Sequence, residues 1–290
     1  MDADLIAERS GVWRRWDAAM TRVPLVLDSP HSGTIYPADF AHVAPIATLR
    51  RSEDTHVDAL FLAGPTHGAV LLGALFPRSY IDANRALEDL DPAMLDAAWP
   101  APINPGQKTQ LGIGLISRLC GTMIPIYGRK LSVAEVRARI DGYWRPYHLE
   151  LDRLLDDTHA RFGVVFHINC HSMPPAGVAG MAVDAGTPRA DFVLGDRDGT
   201  TCAPSFTATA QDFLTARGYA VRRNDPFKGV ELVRKHGRPA ARRHSLQIEV
   251  NRKLYLNEDT REPNAGFERT RTDLSALVAH LAGFARAQAA

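Results

Sequence analysis

The feature that most restricts what this chain can fold into is residues 162–174, FGVVFHINCHSMP. Val164, Val165 and Phe166 lead into His167, Asn169 and His171 at alternate positions, between the breaks at Gly163 and Pro174. A short apolar run bounded in this way reads as a strand buried on both faces of a parallel or mixed sheet. Its polar residues fall at the C-terminal end. In open α/β sheets ligands bind there, because the loops leaving the strands form a crevice. His171 therefore stands where a metal ligand or a general base is useful.

Residues 23–27 repeat the pattern, an apolar run ending in Asp28, Ser29, Pro30, His31, Ser32 and Gly33. Further strands are expected at 69–75, 191–195, 219–223 and 245–250. On the last of these, Gln247, Glu249 and Asn251 share one face by the period of two. Helices are expected over 3–20, interrupted by Gly11, over the latter part of 49–64, over 204–217, and from Pro263 to about Arg286. Ser132 with Glu135 forms a capping box that opens a helical region to about Arg161, kinked or split near Pro146. Glu53, Asp54 and Asp58 would lie in the first turns of the second helix, where the dipole favours carboxylates. Residues 86–114 and 172–190 are Pro- and Gly-rich connections, and 224–239 carries turn residues and exposed charge. No repeat or linker divides the chain, so one domain over 1–290 is expected.

Composition narrows the function classes. Net charge is +1 over 290 residues, so no global field directs the chain to nucleic acid or an anionic membrane. The N-terminal residues lack a signal-peptide core, and no apolar run reaches the ~18 residues of a membrane span. Three widely spaced cysteines, Cys120, Cys170 and Cys202, point to a reducing cytosol rather than a disulfide framework. A small-molecule substrate is expected, with no obligate protein partner.

The polar residues that apolar segments deliver are His31, Asp54, Asn84, Arg85, Arg118, His171 and Glu249. Two histidines and a carboxylate with an open position make the ligand set of a catalytic zinc site, which suits amide or ester hydrolysis. A glutamate in an apolar strand is costly to bury unless paired or working, so Glu249 is the candidate base, with arginines for a substrate carboxylate. Among the eleven histidines, His56, His67, His148, His159, His167 and His244 read as ordinary surface or core residues, and His236 as a second-line candidate. No GxSxG elbow supports a serine nucleophile.

Eight motifs in order carry a resemblance: PHSG (30–33), SED (52–54), YIDANR (80–85), GIGLISR (112–118), PYH (146–148), NCHSMP (169–174), NDPFKG (224–229) and LQIEVNRKLY (246–255). Together they resemble the N-formylglutamate amidohydrolase family over about residues 23–260. The resemblance implies a three-layer α/β/α fold with a mixed central sheet, carboxypeptidase-like, and one Zn2+ per chain. It implies that His31 and His171 are zinc ligands, that Glu249 activates water, and that Asn84 and Arg85 hold the substrate's α-carboxylate. The carboxypeptidase pattern puts an acidic ligand three residues after the first histidine, where this chain has Thr34. Asp54 is expected to replace it, with Glu53 and then Asp58 as competitors. Arg118 is expected to stabilise the oxyanion or bind a second carboxylate. Where the family pattern leads one to expect a second glycine after Gly229, this chain has Val230. The implied reaction is cytoplasmic hydrolysis of N-formyl-L-glutamate to formate and glutamate, as in histidine degradation. The rivals are another N-acyl or N-carbamoyl amino acid as substrate, and a non-catalytic metal- or amino-acid-binding protein.

Overall fold

In the computed structural model, which describes residues 6–120, 123–177 and 186–289, the stretch 162–174 forms the nine-residue strand β7 (Val165–Met173), buried throughout. The other strands are β1 (Ile6–Arg9), β2 (Trp13–Trp16), β3 (Leu25–Ser29), β4 (Val70–Ala74), β5 (Leu119–Cys120), β6 (Ile124–Pro125), β8 (Phe192–Gly195), β9 (Val221–Arg223) and β10 (Arg243–Asn251). The helices are α1 (Ile46–Leu49), α2 (Val57–Phe61), α3 (Gln107–Gln110), α4 (Val133–Arg139), α5 (Arg145–Phe162), α6 (Pro204–Ala216), α7 (Glu231–His236) and α8 (Phe267–Ala287). The main sheet has the order β1-β2-β4-β3-β7-β10-β8-β9, and β5 pairs with β6 separately. The strands β4, β3, β7 and β10 run parallel, while β2 and β8 pair antiparallel with them. The sheet is therefore mixed, as the sequence predicts.

Strand alternation sorts the residues into two layers. Phe166, Ile168 and Cys170 of β7 join Leu246, Ile248 and Val250 of β10 in an apolar cluster with Phe206 and Leu214 of α6 and Leu277 and Leu281 of α8. On the opposite face, Val26 and Val165 pack with Leu151, Leu154 and Leu155 of α5, which recur at helical spacing. Each such side chain contributes roughly 1.5–3 kcal/mol by leaving water. That second face turns polar toward the C-terminal ends of the parallel strands. There Asp28 lies beside Asn169, Asn169 beside Gln247, and His171 beside Glu249. A buried polar group left without a partner costs about 1–3 kcal/mol, so such a stripe persists only where its atoms are paired or used.

Three expectations are corrected. The predicted helix over 3–20 is instead the hairpin β1–β2, with residues 1–5 outside the described ones. Gly11, at φ +70°, supplies the turn, and Trp13 and Trp16 register against Ala74 and Leu71 of β4, so sheet-edge pairing outweighs helix propensity. Glu53 and Asp54 precede α2 rather than opening it: Glu53 is extended, and the left-handed His56 turns the chain into the helix. Asp58 alone of the three acids stands in its first turn. The turn-rich 224–239 segment contains α7, whose Leu232 and Val233 are buried. The capping box is as predicted, with Ser132 and Glu135 satisfying each other's backbone, and a five-residue π turn joins α4 to α5 just ahead of Pro146.

Candidate active site

Three chain segments bring His31, His171 and Asp54 together. His31 follows β3, and glycine at position 33 lets this loop press against the chain after β4: an added Cβ would collide with the Phe76 carbonyl. His171 lies near the end of β7. Asp54 arrives from the extended turn before α2, where its N–H donates to the His31 carbonyl at 3.0 Å. All three are buried, at 1%, 3% and 2% exposure.

The hydrogen bonds around the two histidines direct their lone pairs. His31 Nε2 donates to Asp82 Oδ1 at 2.7 Å, and Asn169 Oδ1 lies 2.7 Å from His171 Nε2. Both Nδ1 atoms then face Asp54 Oδ2, at 3.3 Å from His31 and 2.9 Å from His171. One ligand atom from each of the three residues falls within 4.8 Å of the others. Acceptors converging in a buried site repel unless a cation or a proton lies among them. Two imidazoles and a carboxylate thus fit a metal ion, and the donor set suits zinc. Ser172 Oγ donates to Asp54 Oδ1 at 3.1 Å and fixes the carboxylate plane. Burial pushes Asp54 up, but pairing with His171 and then His31, through a proton or cation held among them, outweighs it and keeps the carboxyl below its usual range.

These residues line a cavity of about 590 Å3, within the range of small-molecule sites. Glu249 lies in it, registered beside His171, and accepts from Gln247 Nε2 at 2.9 Å. Burial, followed by repulsion from Asp54, raises its pKa well above the ordinary glutamate value. Arg85 also lines the cavity. Its Nε donates to the Ile113 carbonyl at 3.1 Å and its Nη1 to the Asn84 carbonyl at 3.1 Å. Among the described residues it makes no salt bridge, and burial lowers its pKa. Asn84 is engaged on both sides: Nδ2 lies 3.0 Å from His171 Nε2, and Oδ1 accepts the Leu232 N–H at 2.9 Å.

The family model for N-formylglutamate amidohydrolase matches residues 23–256. This chain belongs to the N-formylglutamate amidohydrolase family. An N-formylglutamate deformylase of Pseudomonas aeruginosa is 28% identical over 243 residues, covering 82% of this chain and 84% of its own. One of Pseudomonas putida is 28% identical over 244 residues, with 82% and 83% covered. A crystal structure of an N-formylglutamate amidohydrolase from Ralstonia eutropha superposes with a TM-score of 0.92 at 50% identity, covering 96% of this chain and 99% of that one. An Agrobacterium tumefaciens gene product at 19% identity and TM-score 0.66, with 95% of each chain covered, shares the fold.

Within the family frame, six predicted residues meet around one cavity: His31, Asp54, Asn84, Arg85, His171 and Glu249. Arg118 does not join them. Its side chain is 43% exposed and binds Asp91 at 3.1 Å, because the bridge between Ile113 and Ser117 turns the GIGLISR segment back on itself. Glu53 is buried outside the His31–Asp54–His171 cluster, accepting from Tyr36 at 2.6 Å, and Asp58 accepts from the Ala59 N–H at 2.9 Å. His236 packs against His167 rather than in the site. Val230 lines the cavity at φ −123°, a backbone that does not require glycine. Asp82, Arg78 and Asn169 also stand at this site, outside the candidates that the sequence singles out. Arg78 lines the cavity and donates to Asp82 Oδ2 at 2.8 Å. Two of the three lie inside family motifs, Asp82 in YIDANR and Asn169 in NCHSMP, and those motifs are the signal that the sequence carries for them.

Proposed function

We propose that this chain is a single-domain, zinc-dependent amidohydrolase of the cytoplasm that cleaves N-formyl-L-glutamate to formate and glutamate, in a route of histidine degradation. The observation that carries the reading is the buried His31–Asp54–His171 cluster with Glu249 registered beside His171 and Arg85 in the wall of the same cavity. The names of the Pseudomonas and Ralstonia relatives support the substrate.

His31, Asp54 and His171 would hold one zinc ion, which when bound supplies a Lewis acid that polarises the formyl carbonyl and makes water nucleophilic near neutral pH. Glu249 accepts a proton from the attacking water and passes it to the departing nitrogen as the C–N bond breaks. Its raised pKa suits both halves of that transfer. Arg85, with Asn84 beside it, holds the α-carboxylate of the glutamate moiety by charge-assisted hydrogen bonds. Arg78, held by Asp82 and facing the cavity, stabilises charge developing on the formyl oxygen, the role expected of Arg118. Asp82 orients His31 through the 2.7 Å bond to Nε2.

The test is formate release from N-formyl-L-glutamate by the purified protein, before and after chelation and zinc return. Activity lost on chelation and restored by zinc is the expected result. Stoichiometric zinc binding without formate would discard the substrate. A second reading, another N-acyl amino acid, is favoured by Val230 in the cavity wall, and a panel of N-acyl amino acids separates the two.

A further inference from the structure

Beneath the cavity the polar stripe continues into a closed network centred on Asp28, which is fully buried. Asp28 Oδ1 accepts from His167 Nε2 at 2.8 Å and from Asn169 Nδ2 at 2.7 Å, and Oδ2 accepts from the Tyr147 hydroxyl at 2.7 Å. His167 Nδ1 in turn lies 2.8 Å from Ser245 Oγ. The mechanism above uses none of these groups.

An ionised carboxylate only accepts hydrogen bonds, and this determines which way the Asn169 amide points. With Nδ2 toward Asp28, Oδ1 must face His171. Turning the amide over would set its oxygen against the Asp28 carboxylate in a water-poor interior, where such repulsion is strong. An oxygen 2.7 Å from His171 Nε2 requires a proton on that nitrogen, and the neutral imidazole then keeps its lone pair on Nδ1. Opposing this is Asn84, whose Nδ2 lies 3.0 Å from the same Nε2 and favours the other tautomer, with a proton on Nδ1 in the place of the metal. The shorter contact belongs to the amide that a buried charge anchors.

We propose that Asp28, acting through the Asn169 amide, is a positioning residue that fixes His171 as the Nε2–H tautomer and so presents Nδ1 to the metal. The inference rests on the metal-site reading above. It assigns work to a carboxylate that touches neither ligand nor substrate.

The experiment measures zinc affinity by chelator competition, together with the His171 Nε2–H proton resonance of the zinc-loaded protein. In wild type that resonance is expected far downfield and slow to exchange, as for a short, buried hydrogen bond. Asn169→Leu is expected to weaken zinc binding about 10- to 100-fold, the range for lost partners of metal ligands, and to move the resonance upfield. Tyr147→Phe removes a different bond to Asp28 and is expected to lower stability while leaving affinity and resonance unchanged, which separates positioning from general support. Failure of the wild type to bind zinc would overturn the metal site itself. Zinc binding by Asn169→Leu within twofold of wild type would overturn the positioning role alone. If Asn169→Leu does not fold, a fast-exchanging, upfield His171 Nε2–H in the wild type overturns the role without any variant.

Discussion

His167 and His171 stand four residues apart on the same face of β7, and both are buried, at 1% and 3% exposure. Each has a buried aspartate within hydrogen-bond distance, Asp28 for His167 and Asp54 for His171. Burial and carboxylate pairing therefore do not distinguish the two. The difference lies in what surrounds the second nitrogen and where the lone pairs point. His167 has both nitrogens paired inside a closed network. His171 shares Asp54 with His31 across a ring separation of 4.7 Å and lines the open cavity. A buried histidine–aspartate pair marks a functional site when several acceptors converge on a space that a ligand can reach, and otherwise it is core.

The sharpest way to break this comparison is to exchange the consequences of the two histidines. His171→Ala is expected to abolish stoichiometric zinc binding and with it formate release, read by metal analysis of the purified protein. His167→Ala is expected to retain one zinc while unfolding more easily, by roughly 1–3 kcal/mol or more for the Asp28 carboxylate left short of a donor, read by denaturant titration. Equal zinc loss in both variants would erase the distinction.

Next in size is Glu249→Gln, which keeps the shape of the site and removes its base. The rate constant should fall by roughly 10²–10⁴, with zinc content and thermal unfolding near wild type. Near-normal turnover would remove Glu249 from the mechanism. Arg85→Ala is expected to raise KM by roughly 10- to 100-fold, the equivalent of about 1.5–3 kcal/mol for hydrogen bonds to a charged group, with a smaller change in kcat. A fall in kcat alone would place Arg85 at the reacting carbonyl instead. Arg118→Ala is the smallest expected effect: a half-exposed pair with Asp91 supports little, so kinetics should stay within about twofold. A loss of a hundredfold would restore the role that its place in the GIGLISR motif suggested.

Much of this was legible in the residues. Alternation within apolar runs located β3, β7 and β10, and the rule that polar residues at the C-terminal ends of parallel strands line a crevice singled out His31, His171 and Glu249. Asp54 was harder, since a serine, acids and a following apolar run read as the start of a helix. The left-handed turn at His56 breaks that pattern, and its formation depends on packing that a local reading does not see. Arg118 lies apart from the cavity for the converse reason: it follows a short apolar run like the others, yet the run folds back on itself and the side chain meets Asp91.

By itself, then, the sequence determined the layered α/β class, the strands that deliver polar residues to the cavity and most of the residue types there, because periodicity and charge burial are local properties. The tertiary structure alone decided among Asp54, Glu53 and Asp58 for the carboxylate that meets the two histidines, set Arg78 rather than Arg118 in the cavity wall, and paired His167 with Asp28. Those outcomes depend on register between strands distant in the chain, such as Asp28 beside Asn169 and His171 beside Glu249. A shift of one residue in either pairing would turn the same side chains to the opposite face of the sheet.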